Sequence, residues 1–220
     1  EAGIGNLIFL EVNVGVPRGP VDFLGGKWQE LFSHAVHEAE KRGIAITTGV
    51  GPGWTGSGGP WVKPEQSMQH LVASETTVSG PSHFNAVLPQ PLPRKPFFGE
   101  GGLPAELETA RKEFYRDVAV LAFPTPKERA AIEDIEEKAL YFRAPYSSQP
   151  GVRPFFESPA EYPAVSNDQR ILIESVIDLT NHLSSDGRLV WDVPEGNWII
   201  LRFGRTSTGQ NTRPAPEAGL

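Results

Sequence analysis

Ile4-Gly5-Asn6-Leu7-Ile8-Phe9-Leu10-Glu11-Val12-Asn13-Val14 is the stretch on which the reading of this chain turns. Branched and aromatic side chains dominate it, which suits a strand buried in a sheet. Alternation puts Ile8, Leu10 and Val12 on one face and Phe9, Glu11 and Asn13 on the other, so polar groups enter only near the carboxyl end. Past Pro17 and Pro20, the segment from Lys27 to Arg42 places Trp28, Leu31, Phe32, Ala35, Val36 and Ala39 at helical spacing. Gly43 stands where a helix ends in a left-handed residue. Ile44 to Thr48 supplies a second short apolar strand. Residues 4 to 50 therefore form one βαβ unit, with parallel strands and a right-handed crossover.

Working outward, Gly49-Val50-Gly51-Pro52-Gly53-Trp54-Thr55-Gly56-Ser57-Gly58-Gly59-Pro60-Trp61 cannot continue the second strand. Glycine opens backbone angles closed to other residues and proline removes a donor, so this is a loop. Two tryptophans on so slight a support are costly to leave in water. They cover either a core edge or a flat, partly apolar ligand such as a sugar ring. A phosphate cradle is the weaker idea, because the Lys-Ser/Thr that ends such a loop is missing.

Beyond Pro64 the pattern shifts to strands at Leu71 to Val78, Phe84 to Leu88, Asp117 to Phe123, Ile171 to Leu179, Leu189 to Val193 and Trp198 to Phe203. Asp186-Gly187 and Glu195-Gly196 are turn pairs between them, and the Leu189, Trp191, Val193 alternation fits an antiparallel sheet with one covered face. A β-sandwich-like domain is expected here. A Pro-rich connector from Pro89 to Pro104 interrupts it as an extended loop, and Lys127 to Phe142 carries Ile132, Ile135 and Ala139 at roughly helical spacing. The boundaries read as 1–66 for the βαβ unit and its Trp-rich loop, 67–206 for the β-rich domain, and 207–220 for a polar linker.

With 39% hydrophobic residues the 220-residue chain can build a proper core. Its 20 basic side chains against 27 acidic ones, without a Lys/Arg cluster, disfavour nucleic acid as a partner. No run reaches the roughly 18 apolar residues of a membrane span. Absence of cysteine removes disulfides, thiolate metal sites and a thiol nucleophile. The chain opens at Glu1, and we read it as a piece of a longer protein, so the lack of a signal peptide carries no weight.

Several blocks in order carry a resemblance: Ala2-Gly3-Ile4-Gly5, Glu11-Val12-Asn13, Gly15-Val16-Pro17-Arg18-Gly19-Pro20, Trp28-Gln29-Glu30-Leu31-Phe32, Gly51-Pro52-Gly53-Trp54, Gly58-Gly59-Pro60-Trp61, Pro64-Glu65-Gln66-Ser67-Met68, Ile177-Asp178-Leu179-Thr180 and Leu201-Arg202-Phe203-Gly204-Arg205-Thr206-Ser207-Thr208-Gly209. Together they span nearly the whole chain, which resembles the α-L-rhamnosidases of glycoside hydrolase family 106. The resemblance implies a large periplasmic or extracellular enzyme. Its (β/α)₈ barrel would carry inserted β-rich domains and act by inversion on terminal α-L-rhamnosyl groups of a carbohydrate substrate, with calcium assisting. This chain would hold the barrel's opening βαβ and one insertion. It departs from the pattern at Gly25-Gly26, where family members carry a small polar or Pro-containing helix start. Inversion needs a protonated carboxylic acid and a second carboxylate about 6.5 to 9.5 Å away. The resemblance puts both on later barrel strands, past Leu220, so the catalytic residues are not assigned.

The candidate substrate contacts are Glu11, Asn13, Trp54 and Trp61. Glu11 and Asn13 share a face that in a barrel points inward at the carboxyl end, where such enzymes bind substrate. Glu11 is equally open to a buried salt bridge or a hydrogen bond to a loop amide. Asn13 offers both donors and acceptors to sugar hydroxyls. Trp54 and Trp61 either stack on the apolar face of a deoxysugar or anchor the glycine-rich loop. His34, His37, His70, His83 and His182 have no ligand spacing. The acidic run Glu133, Asp134, Glu136, Glu137 is most simply a solvated helix face. Two readings compete with the enzyme: a non-catalytic carbohydrate-binding module, and a related glycosidase for another terminal sugar.

Overall fold

The computed structural model describes residues 2–12, 17, 19–49, 51, 53–54, 58–94, 102–128, 166–212 and 219–220. Asn13 and nearly all of the charged stretch expected to be helical lie outside them. The described chain divides into two compact units, residues 1–72 with 93–116 and 205–220, and residues 73–92 with 117–204.

In the first unit, β1 (Asn6–Phe9) and β2 (Ala45–Thr48) pair in parallel, Asn6 against Ala45 through Phe9 against Thr48. Between them runs α1 (Gly26–Glu40), as the spacing predicts. Gly25 gives it no side-chain cap, but its far end is well made. Gly43 turns left-handed at φ 66°, and the Ile44 N–H reaches back to the Ala39 carbonyl at 3.0 Å, closing the last turn. The inner edge of α1 is aromatic and half-buried: Trp28 and Phe32 stack with centroids 4.9 Å apart, and Phe9 of β1 tilts onto Phe32 at 5.3 Å.

A four-stranded sheet follows, in the order β3 (Gln69–Val87), β6 (Arg188–Ser207), β4 (Tyr115–Pro124), β5 (Ile177–Asp178). β5 pairs antiparallel to β4, Leu121 opposite Asp178. The pairs of short strands read at 71–78 with 84–88, and at 189–193 with 198–203, are each one long element. Conversely, the strand expected over 171–179 shrinks to two residues after a 3-10 turn at Ile173–Ser175. β6 is sharply bent. Seven residues of extended strand span about 23 Å, yet the Trp191 and Trp198 rings meet edge to face at 5.5 Å. Its buried side switches accordingly, from Leu189, Trp191 and Val193 to Trp198, Ile200 and Arg202, which requires an irregular step between them. Gly196, at φ 107°, lies in that step. A Cβ on Gly80 of β3 would overlap the Pro194 carbonyl there.

This bend encloses the core of the second unit: Leu88, Val120, Ala122, Leu179, Leu189, Trp191, Val193, Trp198 and Ile200. Arg202 is buried beside it, with Nε and Nη2 donating to the Asp117 carboxylate at 2.7 and 2.9 Å and Nη1 to the Leu88 carbonyl at 2.7 Å. Two further findings depart from the sequence reading. α2 (Ala105–Glu113), in the first unit, was not anticipated. Within 207–220, read as a linker, Ser207, Thr208, Thr212 and Leu220 are buried. The hydroxyls there bond locally, Gly209 N–H to Ser207 Oγ and Gln210 N–H to Thr208 Oγ1, so polar composition does not mean exposure.

Candidate functional site

Because β1 and β2 are parallel, their carboxyl ends lie side by side, and the segments leaving them meet. The ladder continues past the strands: the Gly49 N–H donates to the Phe9 carbonyl at 3.0 Å, and the Gly53 N–H to the Glu11 carbonyl at 2.7 Å. The second bond hooks the glycine-rich loop onto the end of β1. Gly53 holds it at φ 74°, where side chains are strained. Trp54 follows at once and is 64% exposed. Glu11 and Trp54, chosen from the sequence for separate reasons, are thus joined through one backbone hydrogen bond.

The Glu11 carboxylate has a defined partner. Its Oε1 accepts the indole N–H of Trp28 at 2.5 Å, so Glu11 and Phe9 lie on the face that receives α1, which in a barrel is the outer face and not the inward one expected from alternation. The opposite face carries Ile8 and Leu10, which are exposed within this chain. A half-buried indole N–H needs an acceptor, and that need, legible in Trp28 itself, is the signal that could have linked the two residues. Trp61 is 52% exposed and stacks on Phe23 at 6.3 Å with 28° between the planes; Phe23 in turn meets Trp28 edge-on at 5.4 Å. Phe23 is the member of this ring series that sequence reasoning missed. Beside the rings lies a cavity of about 540 Å³, walled by Phe9, Val21, Trp28, Leu31 and Phe32, with Glu11 the one charged group among its described lining residues.

Such an arrangement offers flat apolar surfaces and one carboxylate acceptor, the chemistry that holds a polyhydroxylated ring. It supplies one carboxyl group where inversion needs two. Among the described residues no three acidic or histidine side chains gather to hold a metal ion. The calcium implied by the resemblance therefore finds no donor set of side chains among the described residues. His83 instead bonds Asp192, Nδ1 to Oδ1 at 2.7 Å, on an exposed surface of the other unit.

All 220 residues, 1–220, match the glycoside hydrolase 106 family, described as alpha-L-rhamnosidase. The chain belongs to that family of glycosidases. It is 37% identical over 217 residues to a protein of Formosa agariphila whose provisional name is beta-glucuronidase, covering 99% of this chain and 16% of that protein. Its fold is similar to the structure of a rhamnosidase from Novosphingobium sp. PP1Y, with a TM-score of 0.66, 22% identity, and 99% of this chain but 32% of the other covered. The chain thus spans a minor part of the proteins it matches. No helix among the described residues is long and apolar enough to cross a membrane.

Proposed function

We propose that this chain opens the catalytic barrel of an α-L-rhamnosidase and carries one inserted β-rich, sandwich-like domain. The parent protein, exported to the periplasm or beyond the cell, releases terminal α-L-rhamnosyl groups from glycans. The carrying observation is the meeting of the two post-strand segments at the carboxyl end of β1 and β2, joined by the Gly53 to Glu11 bond, with Trp54 and Trp61 exposed on the same loop. Parallel α/β folds bind substrate at that end.

In this reading the two indoles face the apolar side of the deoxysugar ring, and Asn13 contributes donors and acceptors to its hydroxyls. Glu11, turned toward α1 and bonded to Trp28, steadies the strand end onto which the loop is hooked. Inversion follows from two further carboxyl groups supplied by later barrel strands, one protonating the leaving oxygen and one activating water on the opposite face. Calcium, where it assists, draws its ligands from outside the described residues.

The test is the parent protein on p-nitrophenyl α-L-rhamnoside, with the β-D-glucuronide alongside because of the relative's name. Release from the rhamnoside with β-rhamnose as first product supports the proposal. Turnover of the glucuronide alone replaces rhamnose by another terminal sugar, and retention of configuration overturns inversion.

A further inference from the structure

Three glycines and a threonine far apart in sequence meet in the first unit. The Gly59 N–H donates to the Leu220 carbonyl at 3.0 Å, and the Thr212 N–H to the Gly219 carbonyl at 2.8 Å. Buried Thr212 closes the contact through its side chain, because Oγ1 accepts the Gly219 N–H at 3.2 Å. Space is as restrictive as the hydrogen bonding. A Cβ on Gly219 would overlap the Gly59 carbonyl group. On Gly58 it would sit 2.6 Å from the Leu220 oxygen and 2.8 Å from Thr212 Cγ2. On Gly59 it would sit 2.6 Å from Cζ2 of Trp61, so the indole lies directly against that glycine. Gly58 and Gly59 also hold φ values of 95° and 140°, angles costly for any side chain.

Two stretches of backbone therefore cross at a distance only glycine permits, and Trp61 rests on the crossing. From there its ring reaches Phe23. We propose that Thr212 and Gly219 are positioning residues for Trp61: they fix the height and tilt of the indole from outside the loop that bears it. The crossing stands on its geometry. Its effect on the sugar rests on the proposed function above.

The mechanism is preorganisation. A half-exposed ring on a glycine-rich loop loses rotational freedom when it binds, and a support that has already removed that freedom strengthens the complex without touching the ligand. Gly219→Ala pushes the two backbones apart and releases the indole. Thr212→Val keeps the shape but removes the hydroxyl that accepts the Gly219 N–H. Thr212→Ser restores it.

The experiment uses the full-length parent protein carrying Gly219→Ala, Thr212→Val or Thr212→Ser, each also made with Trp61→Phe. Tryptophan emission and KM for p-nitrophenyl α-L-rhamnoside are read. We expect Gly219→Ala and Thr212→Val to shift the emission to longer wavelength only where Trp61 is present, and to raise KM about fivefold to tenfold with kcat within about twofold. Thr212→Ser is expected to behave as the wild type. Unchanged Trp61 emission in folded Thr212→Val and Gly219→Ala overturns the positioning role. An emission shift with KM unmoved leaves the positioning in place and removes Trp61 from the sugar site. Should Gly219→Ala fail to fold, the Val and Ser variants at Thr212 decide.

Discussion

Replacing Trp28 by Phe removes the indole N–H and leaves the half-buried Glu11 carboxylate without that donor. The expected cost is about 1–3 kcal/mol, read from urea unfolding, with Glu11→Gln less damaging because an amide oxygen still accepts. The sugar-binding role separates from the structural one in KM, which Glu11→Gln raises if the carboxylate also meets substrate. Trp54 makes the opposite prediction. An exposed ring on a loop contributes little to folding, so Trp54→Ala changes stability by no more than about 0.5 kcal/mol. A lost stacking contribution of about 1 kcal/mol raises KM for the rhamnoside about fivefold. Residue type put Glu11, Asn13, Trp54 and Trp61 forward as candidates. Their surroundings were not legible, for a physical reason: alternation along β1 says which side chains share a face, but which face receives α1 depends on where Trp28 and Phe32 land.

At the scale of elements, β6 depends on Arg202. Truncating it to Ala removes both hydrogen bonds to the Asp117 carboxylate and the one to the Leu88 carbonyl, and the expected loss in chemical denaturation is about 3 kcal/mol; Arg202→Lys recovers only part of it, because an ammonium cannot reproduce the two-pronged contact. Acid acts through carboxylates that hydrogen bonds hold in the charged form. The Glu108 carboxyl of α2 is held below its ordinary value chiefly by the hydrogen bond from Arg111, against the opposing effect of burial, and that of Asp178 by hydrogen bonds from Thr180. A lowered value in the folded protein means their contribution is complete above the unfolded value near about 4 and is lost as pH falls through the folded value. The thermal midpoint is therefore expected to drop below about pH 4, and less steeply in Glu108→Gln, since Arg111 is buried beside that carboxylate in the wild type. Strong periodicity made α1 and the core-lining strands readable. α2 has charge order instead, Glu106 and Glu108 in its first turn and Arg111 and Lys112 in its last, a signal of the helix dipole without an apolar stripe. Glu195-Gly196 read as a turn between two strands, whereas Gly196 lies where one strand, β6, bends and carries on.

For the whole molecule, the 220-residue chain alone is expected to release no sugar from p-nitrophenyl α-L-rhamnoside while its parent does; turnover by the chain would bring the missing acid and base inside it. The division into units bears on how the molecule comes into being. Its chain passes from one unit to the other inside β3, β4 and β6. Gly59 leaves the ribosome about 160 residues ahead of the Leu220 carbonyl that it must bond. At ordinary rates of synthesis that interval is on the order of ten seconds. Throughout it, the Trp61 end of the nascent loop waits without its far support, held only near Trp54 by the Gly53 bond, until translation delivers the segment that packs against Gly59.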